Sequence, residues 1–134
     1  MIERYTLPRM GRIWKLENKY RKWLDVELAV CEVQADKGLI PPADWQNIRE
    51  KADFSVERIA EIEAEVRHDV IAFLTSVAEH VGPSSRYIHL GMTSSDVLDT
   101  ATSLQLKEAG EIIAAKLDSL ITVLKKQAVN HRET

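Results

Sequence analysis

Thr93-Ser94-Ser95-Asp96 sets four small polar residues at the opening of a helical pattern that runs to the chain's end. The first backbone N–H groups of a helix have no partner inside it, and the macrodipole adds partial positive charge there. Hydroxyls on the same turn complete a cradle for a carboxylate or a phosphate. A second polar cluster, Arg67-His68-Asp69, interrupts another helical pattern earlier in the chain. Two such clusters in one helical protein point to a site for an anionic small molecule.

Each feature also has a plainer reading. Thr93 to Asp96 is what any well-capped helix start looks like. A histidine on an apolar face is more often hydrogen-bonded and buried than catalytic, and Arg67 with Asp69 reads equally as a surface pair. Such a pair contributes under about 1 kcal/mol. His89 falls in a connector, where spare polar residues are common. Trp14, Trp23 and Trp45 read as core, and Cys31, on an apolar helix face, as an inert thiol. His68, His89 and His131 lack metal-ligand spacing, and the chain has no glycine-rich phosphate loop. Neither a metal site nor a cofactor is expected.

The elements that must position these clusters are helices. Pro8 can open a short one. Leu16, Tyr20, Trp23, Leu24, Leu28, Cys31 and Ala35 recur at spacings that form one helical face, which Gly38 ends. Pro41-Pro42 forces a turn ahead of a short helix over 44–51, with Trp45 and Ile48 facing inward. Ser55 caps the next pattern, carried by Val56, Ile59, Ile62 or Glu63, and Val66. Val70, Phe73, Leu74, Val77 and Val81 continue it beyond His68, with a break or kink there and Asp69 as the expected cap of the second piece. From Gly82 to Met92 no helical period is present, and 87–90 reads as an extended connector. Ser94 or Ser95 then caps a last helix whose Leu106, Ala109, Ile113, Leu117, Leu120 and Leu124 form a bundle seam. It is expected to reach His131, a span of about 55 Å. A helix of that length cannot bury its stripe against the preceding body alone, so partner helices are expected. With no cap glycine or proline before Thr134, the chain reads as a piece of a larger protein.

Composition narrows the classes further. The 134 residues suit one domain's worth of core, at 45% hydrophobic and 29% charged residues with a net charge of −3. No basic excess favours nucleic acid or an anionic membrane. No apolar stretch approaches the roughly 20 residues that span a bilayer, and 1–5 lack the apolar core of a secretory signal. The single cysteine cannot form an internal disulfide, which fits a reducing, cytoplasmic setting. The expected fold class is all-α: a small helical N-terminal domain over 1–92, then the start of a long-helix bundle over 93–134.

Three stretches taken together resemble the adenylosuccinate lyase family of the fumarase and aspartase superfamily. They are Met1-Ile2-Glu3-Arg4-Tyr5, Glu65-Val66-Arg67-His68-Asp69-Val70, and His89-Leu90-Gly91-Met92-Thr93-Ser94-Ser95-Asp96-Val97-Leu98-Asp99-Thr100. The last indicates the superfamily; Arg4-Tyr5 with Arg67-His68-Asp69 narrows it to the purine enzyme. The resemblance implies β-elimination of fumarate from adenylosuccinate, giving AMP, and from the carboxamide ribotide SAICAR, giving AICAR. It implies that Thr93 and Ser94, helped by the Ser95 backbone, hold a carboxylate of the succinyl group. Arg4 and Tyr5 would hold the nucleotide near its phosphate, with Arg67, His68 and Asp69 lining the same pocket. His68 would contribute to catalysis, sharing or orienting the proton delivered to the departing nitrogen, while His89 supports. Family members continue beyond this length with a second histidine, a serine loop carrying the base and a lysine-rich motif. They form homotetramers whose sites combine three subunits, so the 134 residues alone are expected to be inactive.

Overall fold

The computed structural model describes residues 2–133, with Glu3 by its backbone only. Met1 of the opening motif and Thr134 at the chain's end lie outside the described residues. Six α-helices follow a short 3-10 turn over Glu3–Tyr5: α1 (Pro8–Ile13), α2 (Leu16–Asp36), α3 (Pro42–Lys51), α4 (Val56–Val66), α5 (Asp69–Val81) and α6 (Ser94–Asn130). A second 3-10 turn, Gly82–Tyr87, leads from α5 toward α6. No strand occurs among the described residues, as the all-α expectation requires.

Most boundaries have local causes. Pro8 and Pro42 occupy the first helical positions of α1 and α3, where a missing N–H costs nothing. Ser55 caps α4 by accepting the Arg58 N–H at 3.1 Å. After α2, Gly38 takes φ 74, which lets the Leu39 N–H reach back to the Gln34 carbonyl at 2.9 Å.

The core forms where α2, α4 and α5 meet the first turns of α6. Trp23 and Phe73 are fully buried, their rings edge to face at 5.4 Å, and Tyr20 stacks on Phe73 at 5.9 Å. Such pairs contribute about 0.5–1.5 kcal/mol each beyond the area they bury. Val70, Ala72, Val77, Ile59 and Ile48 complete the cluster.

Several expectations need correction. Trp14 and Leu16 remain substantially exposed, because the chain turns between α1 and α2 and leaves both outside the packed face. The stretch 87–90 is not extended: Tyr87 ends the 3-10 turn and a tight turn follows it. The caps of α5 and α6 are His68 and Thr93, each one residue earlier than or beside the expected ones, since a helix is capped by the last residue that keeps extended backbone.

The long helix departs from expectation in a more useful way. Its buried residues are Val97, Ala101, Gln105 and Ala109, spaced by four. The expected seam residues Leu106, Ile113, Leu117, Leu120 and Leu124 are about half exposed. At about 100° per residue the two rows lie on faces roughly 100° apart, with Ala109 between them. Thus one face of α6 packs on α2, and a second apolar face stays about half exposed among the described residues, with only α1 and the turn before it alongside.

Candidate functional site

The Thr93 region is built by the start of α6. Thr93 is extended (φ −116, ψ 161), and its N–H donates to the Asp96 carboxylate at 2.8 Å. The Asp96 N–H donates to the Thr93 carbonyl at 3.0 Å. Asp96 therefore orients the turn, while the free N–H groups of the first helical residues face outward with the helix's positive end. Thr93 and Ser95 are exposed and Ser94 is half-buried, so all three are open to a ligand.

Arg67, His68 and Asp69 form the junction of α4 and α5. Arg67 ends α4 in the left-handed region at φ 54, a conformation that costs a non-glycine residue about 1–2 kcal/mol. His68 is extended and caps α5, its Nδ1 accepting the Ile71 N–H at 3.4 Å. The Asp69 carboxylate accepts the N–H of Val70 at 2.8 Å and lies 3.8 Å from His68 Nδ1. His68 is not a buried core histidine; its side chain keeps 45% of its exposure. Of the break or kink expected here the structure shows a break, made by the left-handed Arg67.

Arg4 and Tyr5 sit in the first 3-10 turn, with the Arg4 guanidinium 4.8 Å from the Tyr5 ring centre. Tyr5 lines a groove of about 440 Å³ with Ile112, Lys116 and Leu120 of α6. Ile112 is 19 residues beyond Thr93, which places it about 28 Å along the helix at 1.5 Å per residue. No hydrogen bond or ion pair among the described residues joins the Tyr5, His68 and Thr93 regions. The Tyr5 groove and the Thr93 start, about 28 Å apart along α6, are thus not gathered into one pocket by a single chain.

Glu27 escaped the sequence reading. It is fully buried on α2, where its carboxylate accepts the His89 backbone N–H at 2.9 Å and stands 2.6 Å from His89 Nδ1. Burial pushes its carboxyl above the usual range, and the bonds from His89 pull against that. The signal was present: position 27 continues the inward row of Tyr20, Trp23, Leu24 and Cys31, so a carboxylate there had to be buried and paired. Cys31 is buried as expected, with its thiol pushed up to about 11 by loss of solvent.

Comparison with known proteins bears on these clusters. The sequence profile of a family described as lyase matches residues 3–134. The chain is 59% identical over 134 residues to adenylosuccinate lyase of Synechocystis sp. and 44% identical to that of Bacillus subtilis. It is 47% identical over 137 residues to that of Aquifex aeolicus. In each case the match covers 100% of this chain and 31% of the relative, so the chain spans about a third of those proteins. Among solved structures, a fumarate lyase from Mesorhizobium sp. BNC1 superposes with a TM-score of 0.85 at 25% identity, over 92% of this chain and 30% of that one. The 3-carboxy-cis,cis-muconate lactonizing enzyme of Pseudomonas putida superposes with a TM-score of 0.85 at 29% identity, over 94% and 30%.

Proposed function

Since the chain belongs to the lyase family, we propose that it serves β-elimination of fumarate from adenylosuccinate, giving AMP, and from SAICAR, giving AICAR. The observation that carries this reading is the 59% identity along the whole chain to a relative named adenylosuccinate lyase. In the reaction a base removes a proton beta to the leaving nitrogen, an aci-carboxylate intermediate gathers charge, and an acid protonates the nitrogen. Thr93, Ser94 and the Ser95 backbone hold the succinyl carboxylate. Donors fixed at a helix start stabilise growing negative charge without reorganising. Arg4 and Tyr5 take the nucleotide, Arg67 and Asp69 line its pocket, and His68 assists the proton delivered to the departing nitrogen.

The active protein is a homo-oligomer, with a tetramer as the expected size. The separation of about 28 Å between the Tyr5 groove and the Thr93 start supports assembly of each site from several copies. The half-exposed apolar face of α6 supports the same reading, with 93–134 as the opening of a helical bundle and 1–92 as a domain resting on it. No helix among the described residues is long and apolar enough to cross a membrane, and the lone reduced thiol suits the cytoplasm.

The test is the ultraviolet assay of adenylosuccinate cleavage on the native protein, beside His68→Ala. Fumarate release that falls 100-fold or more in the variant supports the reading, since general acid–base groups contribute about 10²–10⁴-fold. Absence of wild-type turnover, with turnover of another succinyl substrate, overturns it. The 134 residues assayed alone are expected to release no fumarate.

A further inference from the structure

One face of α2 holds the turn that leads into α6. Glu27, Cys31 and Gln34 recur at spacings of four and three, so α2 presents all three side by side. Each meets the connector at a different residue. The Cys31 Sγ lies 3.9 Å from the Tyr87 carbonyl oxygen, Glu27 takes the His89 N–H, and the Gln34 side-chain amide donates to the Leu90 carbonyl at 2.9 Å. The His89 carbonyl in turn accepts the N–H of Met92 at 3.2 Å, and Met92 is the residue before the Thr93 cap. Glu27 is thus tied, through one histidine, to the helix start that presents the hydroxyls.

The bond to the backbone N–H does not by itself call for a carboxylate; a neutral amide oxygen would satisfy it at far lower cost of burial. The carboxylate differs in what it does to the ring. Ionised, it only accepts hydrogen bonds, so the Nδ1 facing it at 2.6 Å carries the proton. Nε2, which has no hydrogen-bond partner among the described residues, is then the nitrogen left for a ligand. The backbone shows the same emphasis on this side chain. His89 sits in the left-handed region at φ 66, although the chain places glycine at the left-handed position two residues on, Gly91 at φ 76. Glycine would occupy position 89 without strain.

We propose that Glu27 is a positioning residue of the site at the start of α6: it clamps His89 through backbone N–H and Nδ1, fixes the ring's tautomer, and so keeps Nε2 unprotonated, as a hydrogen-bond acceptor for an O–H or N–H group of the substrate bound there. The substrate part rests on the reaction proposed above; the clamp does not.

Long-range proton–nitrogen correlation of the histidine rings in the native protein reads the clamp directly. In the wild type at neutral pH, His89 is expected as the Nδ1–H tautomer. In Glu27→Gln the single side-chain oxygen goes to the backbone N–H and the amide NH₂ faces Nδ1, so the proton moves to Nε2. Adenylosuccinate cleavage by that variant is expected to lose about 10-fold or more in kcat, with KM changed less than about 3-fold. An Nε2–H tautomer in the wild type overturns the proposal, and so does a variant that reverses the tautomer yet keeps its kcat. If the wild type releases no fumarate, the proposed reaction fails separately, and Glu27's role stands or falls on the tautomer reversal.

Discussion

Arg67 and His89 are the two non-glycine residues with left-handed backbone among those described, and the fold holds them in opposite ways. Arg67 is exposed and is set there by the end of α4, whose last turn needs a residue that curls back. His89 is mostly buried and is set there by a partner 62 residues away in sequence, the carboxylate of Glu27. One is a local turn that tolerates its residue; the other is a tertiary clamp that requires it. The difference teaches that a strained backbone marks a candidate site only together with what holds it. Arg67 turns the chain so that His68 and Asp69 open outward, while His89 anchors the cap of α6.

That contrast can be broken by mutation. Glu27→Ala is expected to have the largest effect, a loss of about 3 kcal/mol or more in denaturant unfolding, because His89 would keep an inward-facing donor without an acceptor. A loss under 1 kcal/mol would mean that the clamp holds little. His89→Gly follows, destabilising by about 2 kcal/mol on the same assay; the lost pairing outweighs the strain relieved, and a stabilised variant would refute the clamp. Thr93→Ala is expected to cost about 1 kcal/mol through the cap of α6, read as a lower thermal midpoint. Arg67→Gly is expected to move the other way, stabilising by up to about 1 kcal/mol, since it relieves strain and breaks no bond recorded for its side chain. Opposite signs at positions 67 and 89 are the sharpest form of the comparison; equal signs would erase it.

The smallest effect separates surface from buried carboxylates by pH. Asp53 is held below its usual range by the Phe54 N–H and by Arg21, Glu57 by backbone at the start of α4 and by Ser55, and Glu108 by Lys22. A depressed carboxyl stabilises the fold above the ordinary carboxylate range, and this is lost as the pH falls below about 4. Glu27 runs the other way, its carboxyl raised by burial. The share of stability tied to its proton is fully present below about 4 and is lost as the pH rises through the raised value, while the bonds to His89 remain. Denaturant unfolding across this range should therefore show the wild type losing ground to Glu27→Gln as the pH rises. A gap between them that does not change with pH would contradict it.

The polar clusters and most helix bounds were readable because their causes are local. Pro8, Ser55 and Gly38 act on their own turn, and the inward row of α2 follows from helical spacing alone. The stretch 87–90 was misread as extended because its bonds go to α2, far off in sequence. Trp14 was misplaced because hydrophobic character cannot show which side of a chain reversal receives cover.

By itself the sequence determined an all-α chain, a polar junction at 67–69, and a hydroxyl-rich helix start at 93–95. Periodicity and capping fix these within a few residues, where no distant partner is needed. Only the tertiary structure decided that α6 packs through Val97, Ala101 and Gln105 while the leucine row stays half exposed. Two apolar faces compete on that helix, and α2 can cover one of them. It also decided that Glu27 meets His89, because a buried carboxylate must find donors wherever the fold brings them.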